Sequence, residues 1–334
     1  MQYKSVVATR KGSPDVLQIV KNDLRAPRSG EARIRVLATT VGRTDIGYRT
    51  GDLGLGPRPP FVPGYEVLGI VDAVGEGVTE VAPGDHVAAL IGHGGWAEYI
   101  YLGQEHWVRI PPALGWTEAA AVVLNYVTAY QMLHRVANVK AGDTILVIGA
   151  SGGVGTALLQ LGQLAGLKMY GTASRSKHAS LDRLGATLID YHVEDFVAVL
   201  RQAEADGVDY VFDGVGGAYA DRGLKVLRRG GKLVEYAPSA SLGALVLGLA
   251  KLLLAKVTTP GKSIEAYGIS ALYQMDKRPF KTDLPVLFEM VQQAKIKPLI
   301  AATFPLLEVA KANVLLESGQ VTGTIVLLAP ECLG

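Results

Sequence analysis

Apolar and polar positions change their rhythm once along this chain. Over residues 1 to about 120 the apolar runs are short and set between turn formers. Arg33-Ile34-Arg35-Val36-Leu37-Ala38 alternates polar and apolar, the pattern of a strand with one buried face. Residues 67–71 are continuously apolar, which predicts a more deeply buried strand. The stretch 54–63 between them carries Pro57, Pro59, Pro60 and Pro63, so it predicts an irregular connection. Pro83-Gly84-Asp85 predicts a turn into a strand at His86–Leu90. This half reads as mainly β.

Near Thr117 the period lengthens. Residues 118–136 predict a helix, with Thr117 as its cap. Beyond it, strands at Thr144–Ile148, Lys168–Thr172, Thr187–Ile189, 210–213 and 232–236 alternate with helices at 154–164, 177–184 and 218–227. Such alternation predicts an α/β domain with a parallel, doubly wound sheet. The tail, 283–334, predicts two helices and a last strand, Thr324–Leu328, which returns most economically to the N-terminal β domain. The expected division is therefore 1–122 with 271–334, and 123–270.

Composition narrows the class. The chain is 334 residues long and 49% hydrophobic, enough for two domains with sizeable cores. Thirty-three Lys and Arg face 31 Asp and Glu, and no basic run concentrates the net +2, so no nucleic-acid partner is expected. The single cysteine, Cys332, excludes a disulfide within the chain and a cysteine-rich zinc site. Residues 242–254 are the most apolar stretch, but thirteen residues interrupted by Lys251 fall short of the ~20 that cross a bilayer. They read as a lid, an oligomer contact or a membrane-touching helix. With no signal-peptide pattern at the start, the expectation is a cytoplasmic protein without a transmembrane segment.

The strongest motif is Gly149-Ala150-Ser151-Gly152-Gly153-Val154-Gly155, between a strand and a helix. Gly152 would let the backbone approach a pyrophosphate, Gly155 would let helix and strand pack closely, and the helix N terminus offers free N–H groups to phosphate. The same residues also fit G-x-S-x-G, the nucleophile elbow of a hydrolase. That reading needs an Asp or Glu and then a His after the serine, and no histidine follows Asp213. About twenty residues beyond the glycines, where an acid would bind the ribose of NAD, stands Thr172-Ala173-Ser174-Arg175-Ser176-Lys177-His178. Ser174, Arg175 and Lys177 offer donors and positive charge instead, which favours the 2′-phosphate of NADP(H). Asp45, Glu66, His86 and His93 form no recognised ligand spacing, and no metal is expected.

Together these stretches resemble the medium-chain dehydrogenase/reductase superfamily, in its zinc-free quinone oxidoreductase (zeta-crystallin) branch, over essentially the whole chain. The resemblance is carried by Thr44-Asp45, Pro63-Gly64-Tyr65-Glu66, Gly84-Asp85-His86-Val87, Gly94-Gly95-Trp96-Ala97-Glu98-Tyr99, Thr128-Ala129-Tyr130 and the glycine turn. Asn125-Tyr126-Val127-Thr128-Ala129-Tyr130, the segment from Thr172 to His178, and Ile189-Asp190-Tyr191-His192 look most like the vesicle amine transport protein group.

The resemblance implies a GroES-like β-rich substrate domain and a Rossmann domain. It also implies an NADPH-dependent, zinc-independent reductase that passes hydride to a small-molecule quinone or α,β-unsaturated carbonyl. Gly42 and Tyr65 stand where zinc alcohol dehydrogenases carry Cys and His, in keeping with a metal-free site. Gly42 and Leu53 also replace an Asn and a Tyr common in quinone oxidoreductases. The implied substrate-side residues are Tyr48, Tyr65, Asp45 and Asn125. The implied cofactor residues are Thr128 on the nicotinamide side, Ser151, Gly152, Gly153 and Val154 at the turn, Ser174, Arg175, Lys177 and Tyr191 near the 2′-phosphate, and Gly214, Val215 and Tyr236. A homodimer through the Rossmann sheet edge near residues 263–268 is implied as well. The competing class is a nucleotide-binding, non-enzymatic protein of the same fold, acting in membrane, lipid or RNA association.

Overall fold

The computed structural model describes residues 1–54, 56–236 and 261–333, so the apolar stretch 242–254 lies outside the described residues. Along the chain come strands β1 (Gln2–Ala8), β2 (Leu17–Asp23) and β3 (Glu31–Val41), helix α1 (Arg43–Thr50), then β4 (Glu66–Val74), β5 (His86–Leu90), β6 (Tyr99–Gly103) and β7 (Val108–Arg109). The predicted helix at 118–136 is present but not uniform. Helical turns α2 (Trp116–Ala121) and α3 (Val127–Gln131) alternate with π-helical turns at Val122–Tyr126 and Met132–Ala137. Its cap is Gly115, not Thr117, and this corrects the sequence expectation. The helix starts early enough to hold the Trp116 ring 4.7 Å from the His86 imidazole, which places Thr117 inside the first turn.

Then β8 (Thr144–Ile148), α4 (Gly153–Leu164), β9 (Lys168–Thr172), α5 (Arg175–Leu181), β10 (Thr187–Ile189), α6 (Phe196–Ala203), β11 (Val208–Asp213), α7 (Ala218–Val226), β12 (Leu227–Glu235) and β13 (Ser263–Ala266) follow. The chain ends with α8 (Ile269–Met275), α9 (Arg278–Gln292), β14 (Ile300–Pro305), α10 (Val309–Glu317) and β15 (Thr324–Leu328).

Two compact units result, Met1–Val127 with Leu272–Gly334, and Thr128–Ala271. In the first, β1 and β2 form an antiparallel ribbon, and a seven-stranded sheet runs β14-β15-β3-β4-β5-β7 with β6 also on β3. The tail does return to this sheet: β15 pairs antiparallel with β3, Ile325 opposite Val41. The alternation read in 33–38 buries Ile34 and Val36 with Val67, Trp96 and Leu327 in one core. Each such side chain contributes roughly 1.5–3 kcal/mol on burial.

The second unit is a six-stranded, all-parallel sheet in the order β10-β9-β8-β11-β12-β13. Chain direction from β8 proceeds outward one way through β9 and β10, and the other way through β11 to β13. The strand order therefore reverses between β8 and β11, and ligands of such sheets bind beyond the carboxyl ends of the strands at that point. Among the described residues β13 is an edge strand, paired only to β12.

Candidate functional site

The glycine turn lies beyond the end of β8. Gly149 adopts φ +85°, and its N–H donates to the Thr172 hydroxyl at 3.1 Å, tying the ends of β8 and β9 together. Gly155 is required by close approach. A Cβ there would lie 2.4 Å from the Gly149 carbonyl oxygen and 2.7 Å from Ala150, so only glycine lets α4 pack against the turn. Gly152 is different. A Cβ there would meet only the Gly149 oxygen, at 3.6 Å, which leaves open space above the start of α4. That helix has no side-chain cap, and its first-turn N–H groups have no intrahelical acceptor. An uncapped N terminus under an open glycine surface fits the pyrophosphate of a dinucleotide.

Around this turn the structure assembles most of the expected cofactor residues. Lys177 Nζ lies 3.4 Å from Ser151 Oγ, which brings the basic segment after β9 to the glycine turn. Ser174 caps α5 in extended conformation, with its hydroxyl 3.3 Å from that of Ser176. The Arg175 guanidinium reaches His178 Nδ1 at 3.4 Å, and the buried His178 ring uses Nε2 on the Ala173 carbonyl at 3.0 Å. Tyr191 is exposed on the loop after β10, its ring 4.3 Å from that of His192. The loop is held by Asp190, which accepts from the His192 N–H, and by Glu194, which accepts from the Asp190 N–H. Val215 sits beside Gly149, and the Tyr236 ring lies against Gly214, where a Cβ would meet it at 2.6 Å.

Asp213 was missed by sequence reasoning. It ends β11, and its Oδ1 accepts from the Val215 and Gly216 N–H groups, shaping the turn opposite the glycines. Its Oδ2 is buried without a partner, and burial raises its pKa. The Thr128 hydroxyl is also buried and unpartnered.

The substrate-side candidates lie in the first unit. Gly42 begins α1 in extended conformation, and Asp45 reaches back to accept its N–H at 2.9 Å. Gly51 ends the helix at φ +92°. The other Asp45 oxygen accepts the Gly64 N–H at 3.0 Å. Gly64 itself needs φ +100°, and a Cβ there would press on the Trp96 backbone at 2.6 Å. Glu66, the first residue of β4, is the second buried acid that sequence reasoning did not place in the candidate site. Thr40 donates its hydroxyl to Glu66 Oε1, Thr39 donates to the Glu66 carbonyl at 2.6 Å, and Oε2 has no partner.

Burial is the largest influence on both acids. It pushes Asp45 up to about 7 against three backbone N–H groups, and Glu66 up to about 8 with help from the Asp45 charge. A carboxylate in a first helical turn is ordinarily favoured by the dipole, but complete desolvation outweighs that here. Tyr48 lies one turn beyond Asp45, half-buried, and its phenol is raised first by burial and then by the Asp45 charge.

The loop that follows α1 packs through glycines. The Tyr48 ring lies over Gly56 and the Leu53 side chain over Gly47. Tyr65 is buried, and its carbonyl accepts from Ile91 and Gly92 at 2.9 Å each. Asn125 Nδ2 donates to the Thr324 hydroxyl at 2.9 Å, which joins the first π-helical turn to β15. Asp45 and Tyr48 thus share α1, Asp45 is tied to Gly64 just before Glu66, and Asn125 is bonded to Thr324.

A doubly wound sheet with an open glycine turn in one unit, and a β-rich unit carrying buried carboxyls, are the two parts of a dehydrogenase-type fold. Residues 28–112 match the family described as alcohol dehydrogenase GroES-like domain, and residues 184–327 match zinc-binding dehydrogenase. The chain is 31% identical to the synaptic vesicle membrane protein VAT-1 homolog of Danio rerio, over 97% of this chain and 70% of that one. It is 29% identical to the quinone oxidoreductase of Rattus norvegicus, over 95% of each. The solved CurK enoyl reductase superposes with a TM-score of 0.88 at 26% identity, over 99% of this chain and 100% of that one. The chain belongs to the medium-chain dehydrogenase/reductase superfamily, an oxidoreductase family whose members bind nicotinamide cofactors.

The family description names zinc, and the residues present do not fit it. Among the described residues no three of His, Cys, Asp or Glu come together in a way that could hold a metal. Asp45 is taken by backbone N–H groups, and Gly42 and Tyr65 offer no imidazole or thiolate beside it. Among the described residues, no helix is long and apolar enough to cross a membrane.

Proposed function

We propose that this protein is an NADPH-dependent, zinc-independent reductase of a quinone or α,β-unsaturated carbonyl. The observation that carries the reading is the approach of Lys177 to Ser151 at the glycine turn, in a segment with Ser174 and Arg175 and no carboxylate. An acid at that place would repel a 2′-phosphate, whereas an ammonium and a guanidinium attract it. Ser151, Gly152, Gly153 and Val154 would hold the pyrophosphate, Tyr191 would lie near the 2′-phosphate, and Thr128 would face the nicotinamide side. When bound, the reduced nicotinamide supplies a hydride.

The chain's own residues handle the charge that follows. Without a Lewis acid, a simple ketone leaves its developing alkoxide poorly stabilised. A quinone or enone spreads that charge over a phenolate or enolate, for which a hydrogen-bond donor suffices. Tyr48 would be the donor for this role, its phenol kept protonated first by burial and then by the Asp45 charge. Edge strand β13 supports a homodimer formed by pairing with its own copy, which sedimentation of wild type and a Glu265→Pro variant would test.

A fluorescence titration with NADPH and NADH in parallel, on wild type and Lys177→Ala, tests the cofactor. Tighter binding of NADPH, weakened selectively by the substitution, is expected. Binding of neither nucleotide would sink the enzyme reading. The vesicle-membrane name of the similar proteins would then favour a non-enzymatic role, tested by liposome binding of wild type against Leu249→Asp.

A further inference from the structure

Asp45 on α1 and Glu66 on β4 are 1% and 0% exposed, and Asp45 is tied to the start of β4 by the N–H of Gly64, two residues before Glu66, at 3.0 Å. The described groups around them are Tyr48 on α1, Thr39 and Thr40 on β3, Gly64 before β4, and Trp96, whose indole N–H donates to the Thr40 carbonyl at 3.0 Å. None of these is a cation, and the Lys11 ammonium that reaches Tyr48 donates to the main-chain carbonyls of Tyr48 and Pro57 rather than to a carboxyl. The buried guanidinium of the same helix, Arg49, is engaged elsewhere, by the Gly12 carbonyl, Asn313 and Glu317. The one ionised group acting on Glu66 is Asp45, and the one acting on Tyr48 is Asp45 again.

Two carboxylates without a counter-ion in a dry site do not both ionise near neutral pH. The hydrogen bonds decide which one keeps the proton. Asp45 accepts N–H groups on both oxygens, which favours its charged form. Glu66 is favoured in its charged form by Thr40 alone, through its hydroxyl on Oε1 and its backbone, and Oε2 has no hydrogen-bond partner although the side chain is fully buried. The proton therefore resides on Glu66. Asp45 and Tyr48, three residues apart on α1, share a helix face.

We propose that the Asp45–Glu66 pair is a proton store that reloads Tyr48 during reduction, with Glu66 as a positioning residue that acts through Asp45 and Tyr48. The inference rests on the reductase reading above. Hydride addition brings two electrons and one hydrogen to the acceptor carbon, and the displaced π pair moves onto the carbonyl oxygen. That oxygen takes the Tyr48 proton. The resulting phenolate, made strongly basic by the neighbouring carboxylate, takes the proton held by the pair. Water returns one proton to the pair, so each turnover consumes one reduced nucleotide and one proton.

The test uses the full chain, first without cofactor. Infrared spectra titrated upward from about pH 5 read the protonated-carboxyl stretch, and a buried acid should persist at neutral pH in wild type and be missing in Glu66→Gln. Thr40→Val removes the hydroxyl that favours charged Glu66, so it should move loss of the band to higher pH by about one unit. With NADPH and an enone or quinone, the alkaline limb of the single-turnover rate should follow the band in each protein. Glu66→Gln should slow the step about tenfold or more, within the range of general acid–base effects, with NADPH affinity unchanged. Absence of a protonated carboxyl at neutral pH, or an alkaline limb unmoved in both variants while NADPH still binds, would overturn the proton store alone. Failure of wild type to bind NADPH would overturn the reductase reading, and this inference with it.

Discussion

Replacing Glu66 by glutamine should blunt the loss of stability that the first unit suffers in alkali. The carboxyl is fully buried, and its pKa is pushed up from 4.5 to about 8 by burial and then by the Asp45 charge. A folded-state pKa above the unfolded one means that the fold binds the proton more tightly. The associated stability is thus fully present below the unfolded value and is lost as pH rises through the folded one. At about 1.4 kcal/mol per tenfold change in proton affinity, wild type should lose about 4–5 kcal/mol through Glu66 between about pH 4.5 and pH 8. Glutamine keeps the shape and a partner for Thr40 but carries no proton to lose. It should therefore leave stability near wild type at about pH 5 and exceed it by about 4 kcal/mol at about pH 9. All three tryptophans, Trp96, Trp107 and Trp116, belong to the same unit as Glu66, so their fluorescence during urea denaturation reports on that unit. Parallel stability curves for the two proteins from pH 5 to pH 9 would refute the reasoning.

Three further outcomes are expected. Gly155→Ala places a methyl group 2.4 Å from the Gly149 oxygen, and a thermal melt should show a loss of about 1–3 kcal/mol together with weakened nucleotide binding. Arg49→Met leaves the Gly12 carbonyl, Asn313 and Glu317 without their shared donor, so urea denaturation should show about 3 kcal/mol of destabilisation. Lys177→Ala removes a charge-assisted contact worth about 1.5–3 kcal/mol, so calorimetry should show NADPH binding weakened about tenfold or more and NADH binding nearly unchanged.

The doubly wound sheet was legible because its signals are local. β8 is a continuous apolar run flanked by turn residues, and its bounds at Thr144–Ile148 match the reading of the sequence. The glycine turn after it announces both the strand end and the helix start. The tail's return was also legible, since Thr324–Leu328 is too short and apolar to stand apart from a sheet.

Less local elements escaped. Helix α1 contains Gly47 and little apolar periodicity, and it is held by the reach-back of Asp45 to Gly42 and by the buried Arg49. α6 was not anticipated between β10 and β11, although Asp195 caps it by accepting the Val197 N–H. β14 exists through its parallel pairing with β15, a partner that no short window reveals. The carboxyl pair is the sharpest case. The sequence offered Asp45 and Tyr48 as substrate-side residues and Glu66 only as part of a family stretch, and only the fold shows that both acids are desolvated.

The proposed reductase function requires a hydride to pass from NADPH to a conjugated acceptor without a metal. NADPH carrying deuterium on the transferred hydrogen, incubated with the protein and a simple enone in chelator-treated buffer, tests it most directly. Oxidation of NADPH at an undiminished rate after chelation is expected, with deuterium on the β-carbon of the saturated product. Loss of the reaction on metal removal, or a product without the label, would contradict it.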